Sequence, residues 1–237
     1  MKTVDEIWDW ATEVNPDVQI EKLTEYITIA RNVYKHPDRV LEFQKLLTKW
    51  ESFSGAKPGV SSLPLPAWTG KHIINNVFGD HDENNYILDS SEPEFLYFYK
   101  NNKKKFDSYS LSERLYTGNC LLPHHDTIND DIEERICLVN LNHKSIETGF
   151  WSFNNEVLLY EKDMSLDCFE EYSDEINLDN YYEKTNNGIL DQVLTVEYNF
   201  NEAIFYNARA LHNPVIDDFF TRENPRTTLR VKFTYES

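Results

Sequence analysis

Hydrophobic and polar positions change period along the chain, from a helical repeat of about 3.6 residues near the start to an alternation of two beyond residue 94. Thr3 and Glu6 form a capping-box pair, in which each side chain satisfies an amide that a first helical turn leaves without a partner. After Pro16, the positions Ile20, Leu23, Ile27, Ala30 and Val33 or Tyr34 recur at helical spacing. Val40, Phe43, Leu46, Leu47 and Trp50 do the same behind His36-Pro37-Asp38, where proline suits the first turn. Each predicted helix has one apolar face and needs a flat surface to cover. Residues 52–70, rich in Pro, Gly and Ser, read as a loop that either links two domains or covers one.

Segments 95–99, 114–122, 135–141, 156–160, 193–198, 203–206, 212–216 and 226–235 are short, β-branched or aromatic, and mostly bounded by Asn, Asp, Gly or Pro. About eight short strands behind a helical cap predict a mainly β fold with helices (α+β). The expected architecture is an antiparallel double-stranded β-helix, or jelly roll, with the N-terminal helices packed on its outer face. The organisation that follows is an N-terminal helical region and covering loop over 1–70, then a jelly-roll core over 71–237 with an acidic insertion at about 161–192.

Composition narrows the function classes. Among 237 residues there are 23 Lys and Arg against 41 Asp and Glu, a net charge of −18, which argues against general nucleic-acid binding. Hydrophobic residues at 40% and aromatics at 14% are too many for a disordered acidic chain. No apolar run approaches the roughly 18 residues of a membrane span, and Met1-Lys2-Thr3-Val4-Asp5-Glu6 is not followed by a secretory apolar segment. Cys120, Cys137 and Cys168 are widely spaced and read as reduced thiols. The expectation is a cytoplasmic protein, of a microbial cell or a virus-infected host cell, that does not bind membranes. Segment 161–183 carries nine acids and one base among Phe169, Tyr172, Tyr181 and Tyr182. It reads either as a solvated surface insertion or as a lid that selects a cationic substrate. Lys103-Lys104-Lys105 reads as an exposed turn, and nothing in the pattern specifies an oligomer.

The candidate chemistry begins in Gly118-Asn119-Cys120-Leu121-Leu122-Pro123-His124-His125-Asp126. On an extended strand alternate side chains share a face, so His124 and Asp126 point together and His125 points away. A third ligand is available at His212, where an apolar strand (Ala203-Ile204-Phe205-Tyr206) turns and begins again. Two histidines and a carboxylate on one face of a metal leave the opposite positions open, as in non-haem Fe(II) sites. The bland alternative is that each histidine is a satisfied structural residue at a strand end. His36, His72, His81 and His143 have no partner at ligand spacing, and His72 and His81 are read as flanking a loop.

In the final strand, odd positions from Leu229 to Tyr235 are apolar, while Arg226, Thr228, Arg230, Lys232 and Thr234 alternate with them. One face should therefore pack on a core formed with the N-terminal helices, and the other is cationic enough to need an anion such as a dicarboxylate. If 212–216 and the strand from Arg226 form an antiparallel hairpin, Arg226 stands about 13 Å from His212 along the sheet, four residues at roughly 3.3 Å each. Arg230 would then sit almost beside the metal. That geometry favours Arg226 for a distal carboxylate, with Thr228 as a hydroxyl partner; Arg222 is a looser candidate, and a surface salt bridge is the structural alternative.

The order HxD, then His, then Arg resembles the Fe(II)/2-oxoglutarate-dependent oxygenase superfamily, including its prolyl-hydroxylase-like and phage-type members. Gly118 and Leu121 ahead of His124 resemble the family's G-D-x-L-x-x-H-x-D lead-in, with Asn119 in place of Asp, and Arg226-x-Thr228 resembles its R-x-S clamp. Some members carry tyrosine three residues before that glycine. Here Leu115 holds the position and Tyr116 is next to it. Thr148-Gly149-Phe150 stands where the family has a Gly-Gly. The resemblance spans about residues 95–235. It implies Fe(II) on His124, Asp126 and His212, with 2-oxoglutarate held by Arg226, Thr228 and Tyr116. O2 would be the oxidant and succinate a product, with hydroxylation of an unactivated C–H bond as the usual outcome. The expected substrate is an amino-acid-like small molecule or a peptide side chain, cationic if the acidic insertion is a lid. Two other readings stay open: a His-Asp metal-dependent phosphohydrolase built on His125-Asp126, and a non-catalytic jelly-roll binding protein.

Overall fold

A computed structural model of the chain describes residues 3–46, 50–52, 59–62, 68–78, 86–96, 126, 133–152, 191–215 and 225–235. Three helices, α1 (Val4–Ala11), α2 (Pro37–Leu46) and α3 (Trp68–Phe78), accompany eleven strands among these residues. The capping box is present as the sequence predicts: the Glu6 amide donates to Thr3 Oγ1 at 3.2 Å and the Thr3 amide to Glu6 Oε2 at 2.7 Å. Pro37 opens α2, where its missing N–H leaves no helical bond unmade.

Two predictions for the first seventy residues are corrected. The helix expected across residues 20–34 is instead a β-hairpin of β1 (Gln19–Lys22) and β2 (Ile27–Arg31). Ile20, Leu23, Ile27 and Ala30 fit a helical period, but Ile27-Thr28-Ile29 is β-branched and β2 gains a partner in β9 (Ala203–Asn207). The segment expected to be a loop over 52–70 contains β4 (Gly59–Ser62), paired with β3 (Trp50–Ser52), and ends in α3, so His72 lies on a helix. The N-terminal segment is therefore not simply helical; among the described residues it adds four strands to the main sheet.

Further along lie β5 (Tyr86–Leu96), β6 (Glu133–Asn140), β7 (Ile146–Ser152), β8 (Asp191–Tyr198), β10 (His212–Val215) and β11 (Arg226–Tyr235). The strand expected at 95–99 is β5, which begins earlier, and β7 was not among the expected strands. Predicted strands at 114–122 and 156–160, and the acidic insertion up to residue 190, lie outside the described residues. The strands form an eight-stranded sheet in the order β1-β2-β9-β6-β11-β5-β4-β3 and a three-stranded sheet in the order β10-β7-β8, with every pairing antiparallel.

Three layers result. Alternation along β6, β9 and β11 sends Cys137, Val139, Phe205, Leu229, Val231 and Phe233 to the side covered by Trp8 and Ala11 of α1, Val40 and Leu41 of α2, and Ile73 and Ile74 of α3. The apolar face of β11 thus packs on the helices, as its pattern predicts. Ile136, Leu138, Ile204 and Tyr206 point the other way and meet Ile146, Phe150, Val196 and Tyr198 of the smaller sheet. Buried on both faces there, β6 and β9 carry unbroken apolar runs at Ile136–Val139 and Ala203–Tyr206. The hairpin expected between 212–216 and β11 does not form. β10 pairs with β7 in the smaller sheet, whereas β11 lies between β5 and β6 in the larger one. His212 and Arg226 therefore belong to opposite walls of the interior, and Arg230 is not in register with His212. No helix among the described residues is long and apolar enough to cross a membrane.

Candidate functional site

β9 ends at Asn207, and the chain crosses from the large sheet to the small one through residues 208–211. Hydrogen bonds tie this crossing down: Ala210 N donates to Asn207 O (2.8 Å), Arg209 N to Asn207 Oδ1 (2.9 Å) and Ala208 N to Glu134 O of β6 (2.9 Å). His212, the first residue of β10, is delivered into the interior with only 4% of its surface exposed. Its Nδ1 lies 2.9 Å from Ala210 O. A carbonyl can only accept, so Nδ1 carries a proton and in the neutral ring Nε2 presents its lone pair. A buried imidazole oriented this way through its other nitrogen is prepared as a metal ligand.

Two groups face that lone pair. Tyr206 Oη is 2.9 Å from Nε2, and Asp126 Oδ2 is 3.4 Å from it. An imidazole nitrogen and a carboxylate oxygen this close, 3.4 Å apart, are donors of the kind that would hold a transition-metal ion. Asp126 lies outside helix and strand, anchored by its amide to Ala208 O (2.8 Å). This differs from the helical setting that a His-Asp phosphohydrolase requires. Its carbonyl accepts from Lys232 Nζ (3.2 Å), which also pairs with Glu134 Oε1 at 3.0 Å. Both partners of that pair are largely buried, with 11% and 7% of their side chains exposed.

Farther along the same interior, Arg226 is 1% exposed and crosses between the sheets. Its Nη2 donates to Tyr198 Oη of β8 at 2.9 Å and lies 3.4 Å from Thr148 Oγ1 of β7; those two hydroxyls are themselves 3.2 Å apart. Nε of Arg226 is buried with no hydrogen-bond partner, and among the described residues no carboxylate pairs with this guanidinium. A buried cation whose partners among the described residues are neutral hydroxyls is suited to receive an anion. Thr228, two residues on and fully buried, shares its face of β11. Register relates the two ends of the site: His212 stands opposite Phe150 and Pro214 opposite Thr148, so two residues, about 7 Å of strand, separate the levels of His212 and Thr148.

The structure thus brings together His212 and Asp126, and puts Arg226 and Thr228 on the facing wall. His124 and Tyr116 lie outside the described residues. Among the described residues, no three His, Cys, Asp or Glu side chains form a metal cluster. Sequence reasoning missed Tyr206, Tyr198, Thr148 and the Lys232–Glu134 pair. Only Lys232 had a signal, the cationic alternation of β11.

The two-sheet, largely antiparallel fold is shared with solved non-haem, alpha-ketoglutarate-dependent enzymes. The epimerase SnoN from nogalamycin biosynthesis superposes with a TM-score of 0.51 at 13% identity, covering 98% of this chain and 82% of its own. SnoN in complex with Fe3+, alpha ketoglutarate and nogalamycin RO gives the same TM-score at 12% identity, covering 98% and 83%. The likeness is one of fold. No protein-family model and no curated protein matches the chain.

Proposed function

We propose that the chain is an Fe(II)- and 2-oxoglutarate-dependent oxygenase built on a double-stranded β-helix. The observation that carries this reading is a single interior holding two sites: the oriented His212–Asp126 pair and, about two residues of strand away, a buried guanidinium that no carboxylate among the described residues pairs with. His124 completes the metal ligands. Arg226, with Tyr198 and Thr148, binds the distal carboxylate of 2-oxoglutarate; Thr228 and Tyr116 line the same co-substrate site. Fe(II) and 2-oxoglutarate, once bound, supply with O2 the oxidising power to hydroxylate a C–H bond, releasing succinate and CO2. The protein's own part is orientation and exclusion of water. Ala210 O fixes the imidazole, the Lys232 contact fixes the backbone of Asp126, and Phe150, Ile136 and Leu138 keep the surroundings apolar.

The substrate class that fits the acidic balance is an amino-acid-like small molecule or peptide side chain with a cationic group, which the insertion at 161–192 would attract as a lid. Anaerobic Fe(II) binding followed by aerobic succinate formation tests the reading. Wild-type protein should bind Fe(II) and turn over 2-oxoglutarate, and His212→Ala should do neither. Unchanged iron binding and succinate release in His212→Ala would remove the metal assignment. With amino acids and basic peptides as co-reactants, substrate-stimulated succinate with a product one oxygen heavier supports hydroxylation. A product of unchanged mass would point instead to an isomerisation like the one named for SnoN.

A further inference from the structure

We propose that Tyr206 is a gatekeeping group of the metal site, whose hydroxyl holds the ligand nitrogen of His212 in the absence of metal and must leave it when an ion binds. This rests on the reading of His212 as a metal ligand and adds to it a residue outside the HxD, His and Arg pattern. Tyr206 lies on the inner face of β9, 1% exposed, at the level of Ile136 in β6. Because His212 Nδ1 is committed to Ala210 O, its neutral ring has one lone pair left, on Nε2, and the Tyr206 hydroxyl is 2.9 Å from it. In that tautomer the hydroxyl is the donor. An ion on Nε2 needs the same lone pair at about 2.0–2.1 Å, so the phenol hydrogen bond and the metal bond exclude each other.

The phenol ring is well braced for this role. Its centroid is 4.5 Å from the imidazole and 5.5 Å from the Phe150 ring, the latter edge to face. Turning the O–H bond moves only the proton and leaves Oη in place, so the edge of the phenol must also yield to an ion on Nε2, while the ring contacts keep the imidazole aimed at the same point. Tyr206 thus does two opposing things: it preserves the ligand's orientation before metal arrives, and it weakens binding by the strength of one hydrogen bond. Removing the hydroxyl while keeping the ring separates them.

Titration of the purified full chain with Co(II) alone, followed by its visible absorption and by calorimetry, tests the proposal. Tyr206→Phe should bind Co(II) about two- to tenfold more tightly than wild type, the range expected for one net hydrogen bond. Equal or weaker binding overturns the gate. A second measurement does not depend on affinity: Co(II) should perturb the near-ultraviolet tyrosine absorption of wild type, and that perturbation should vanish in Tyr206→Phe. Its persistence in the variant, or absence from wild type, also overturns the proposal. His212→Ala distinguishes the two layers of inference. If it binds Co(II) like wild type, the metal reading itself is wrong, whereas loss of binding there with an unaltered affinity in Tyr206→Phe rejects only the gate.

Discussion

Replacing Arg226 by methionine should separate co-substrate binding from fold stability. The substitution keeps an unbranched stem between the sheets and removes the charge. In the ligand-free protein the guanidinium gains charged hydrogen bonds to Tyr198 and, at longer range, Thr148, worth about 1.5–3 kcal/mol, but leaves Nε buried without a partner at a cost of about 1–3 kcal/mol. Those contributions nearly cancel, and Tyr198 and Thr148 keep each other at 3.2 Å. The stability of Arg226→Met without ligand should therefore stay within about 1–2 kcal/mol of wild type. Binding of a carboxylate is different, because truncating one partner of a buried charge pair costs about 2–5 kcal/mol, or about 30- to 5,000-fold in affinity. Urea unfolding of the Mn(II)-loaded protein with and without 2-oxoglutarate reads both effects. At a concentration 100 times its dissociation constant, 2-oxoglutarate should stabilise wild type by about 2.7 kcal/mol and the variant by no more than about 0.9 kcal/mol. A variant that keeps the full ligand stabilisation, or loses more than about 3 kcal/mol without ligand, would show Arg226 to be a structural residue and refute the reasoning.

Three further outcomes follow from the same geometry. Lys232→Met should weaken Co(II) binding about 10- to 100-fold by releasing the Asp126 backbone. Adding Glu134→Gln, which removes the stranded buried carboxylate, should restore stability in urea unfolding but not metal affinity. Gly149→Ala should destabilise by about 1–3 kcal/mol in the same assay. A Cβ there would stand 2.8 Å from Asn213 Oδ1 and 2.9 Å from Gln192 Nε2, and Asn213, pinned by the Trp151 indole at 2.6 Å, adjoins His212. Burial pushes the Cys137 thiol well above the ordinary thiol range, and burial together with Cys137 pushes the Tyr34 phenol well above the ordinary phenol range. The native state thus keeps protons that the unfolded chain gives up. Stability should be complete below about pH 8.5 and fall as pH rises beyond it, by up to about 1.4 kcal/mol per pH unit for each proton retained. Urea midpoints from pH 7 to 11 check this, and Cys137→Ala should remove the earlier of the two declines.

Much of the local structure was legible along the chain because local chemistry decides it. Thr3 and Glu6 meet within one helical turn, Pro37 suits the first turn of a helix, and the alternation from Leu229 to Phe233 commits one face of β11 to a core. The expectation at residues 20–34 failed because Ile20, Leu23, Ile27 and Ala30 satisfy a helical period as well as they satisfy two strands. What settles the matter is the pairing of Ile27–Ala30 with Ala203–Tyr206, some 175 residues away. Distant partners also explain the missed side of the site. Tyr198, Thr148 and Tyr206 look like ordinary strand residues until the sheets stack.

The linear pattern by itself determined which residue types were available for chemistry: a carboxylate at 126, an imidazole at 212 after a strand break, and a guanidinium opening a strand whose alternate positions are charged. Only the tertiary structure decided that His212 and Arg226 face each other from different sheets rather than along one hairpin. Each strand's side-chain direction is set by its own two-residue period, but its neighbour is chosen by long-range hydrogen bonding and burial on both faces. That choice gave Arg226 two hydroxyls and no acid among the described residues, and gave His212 a tyrosine, a carboxylate and one committed nitrogen.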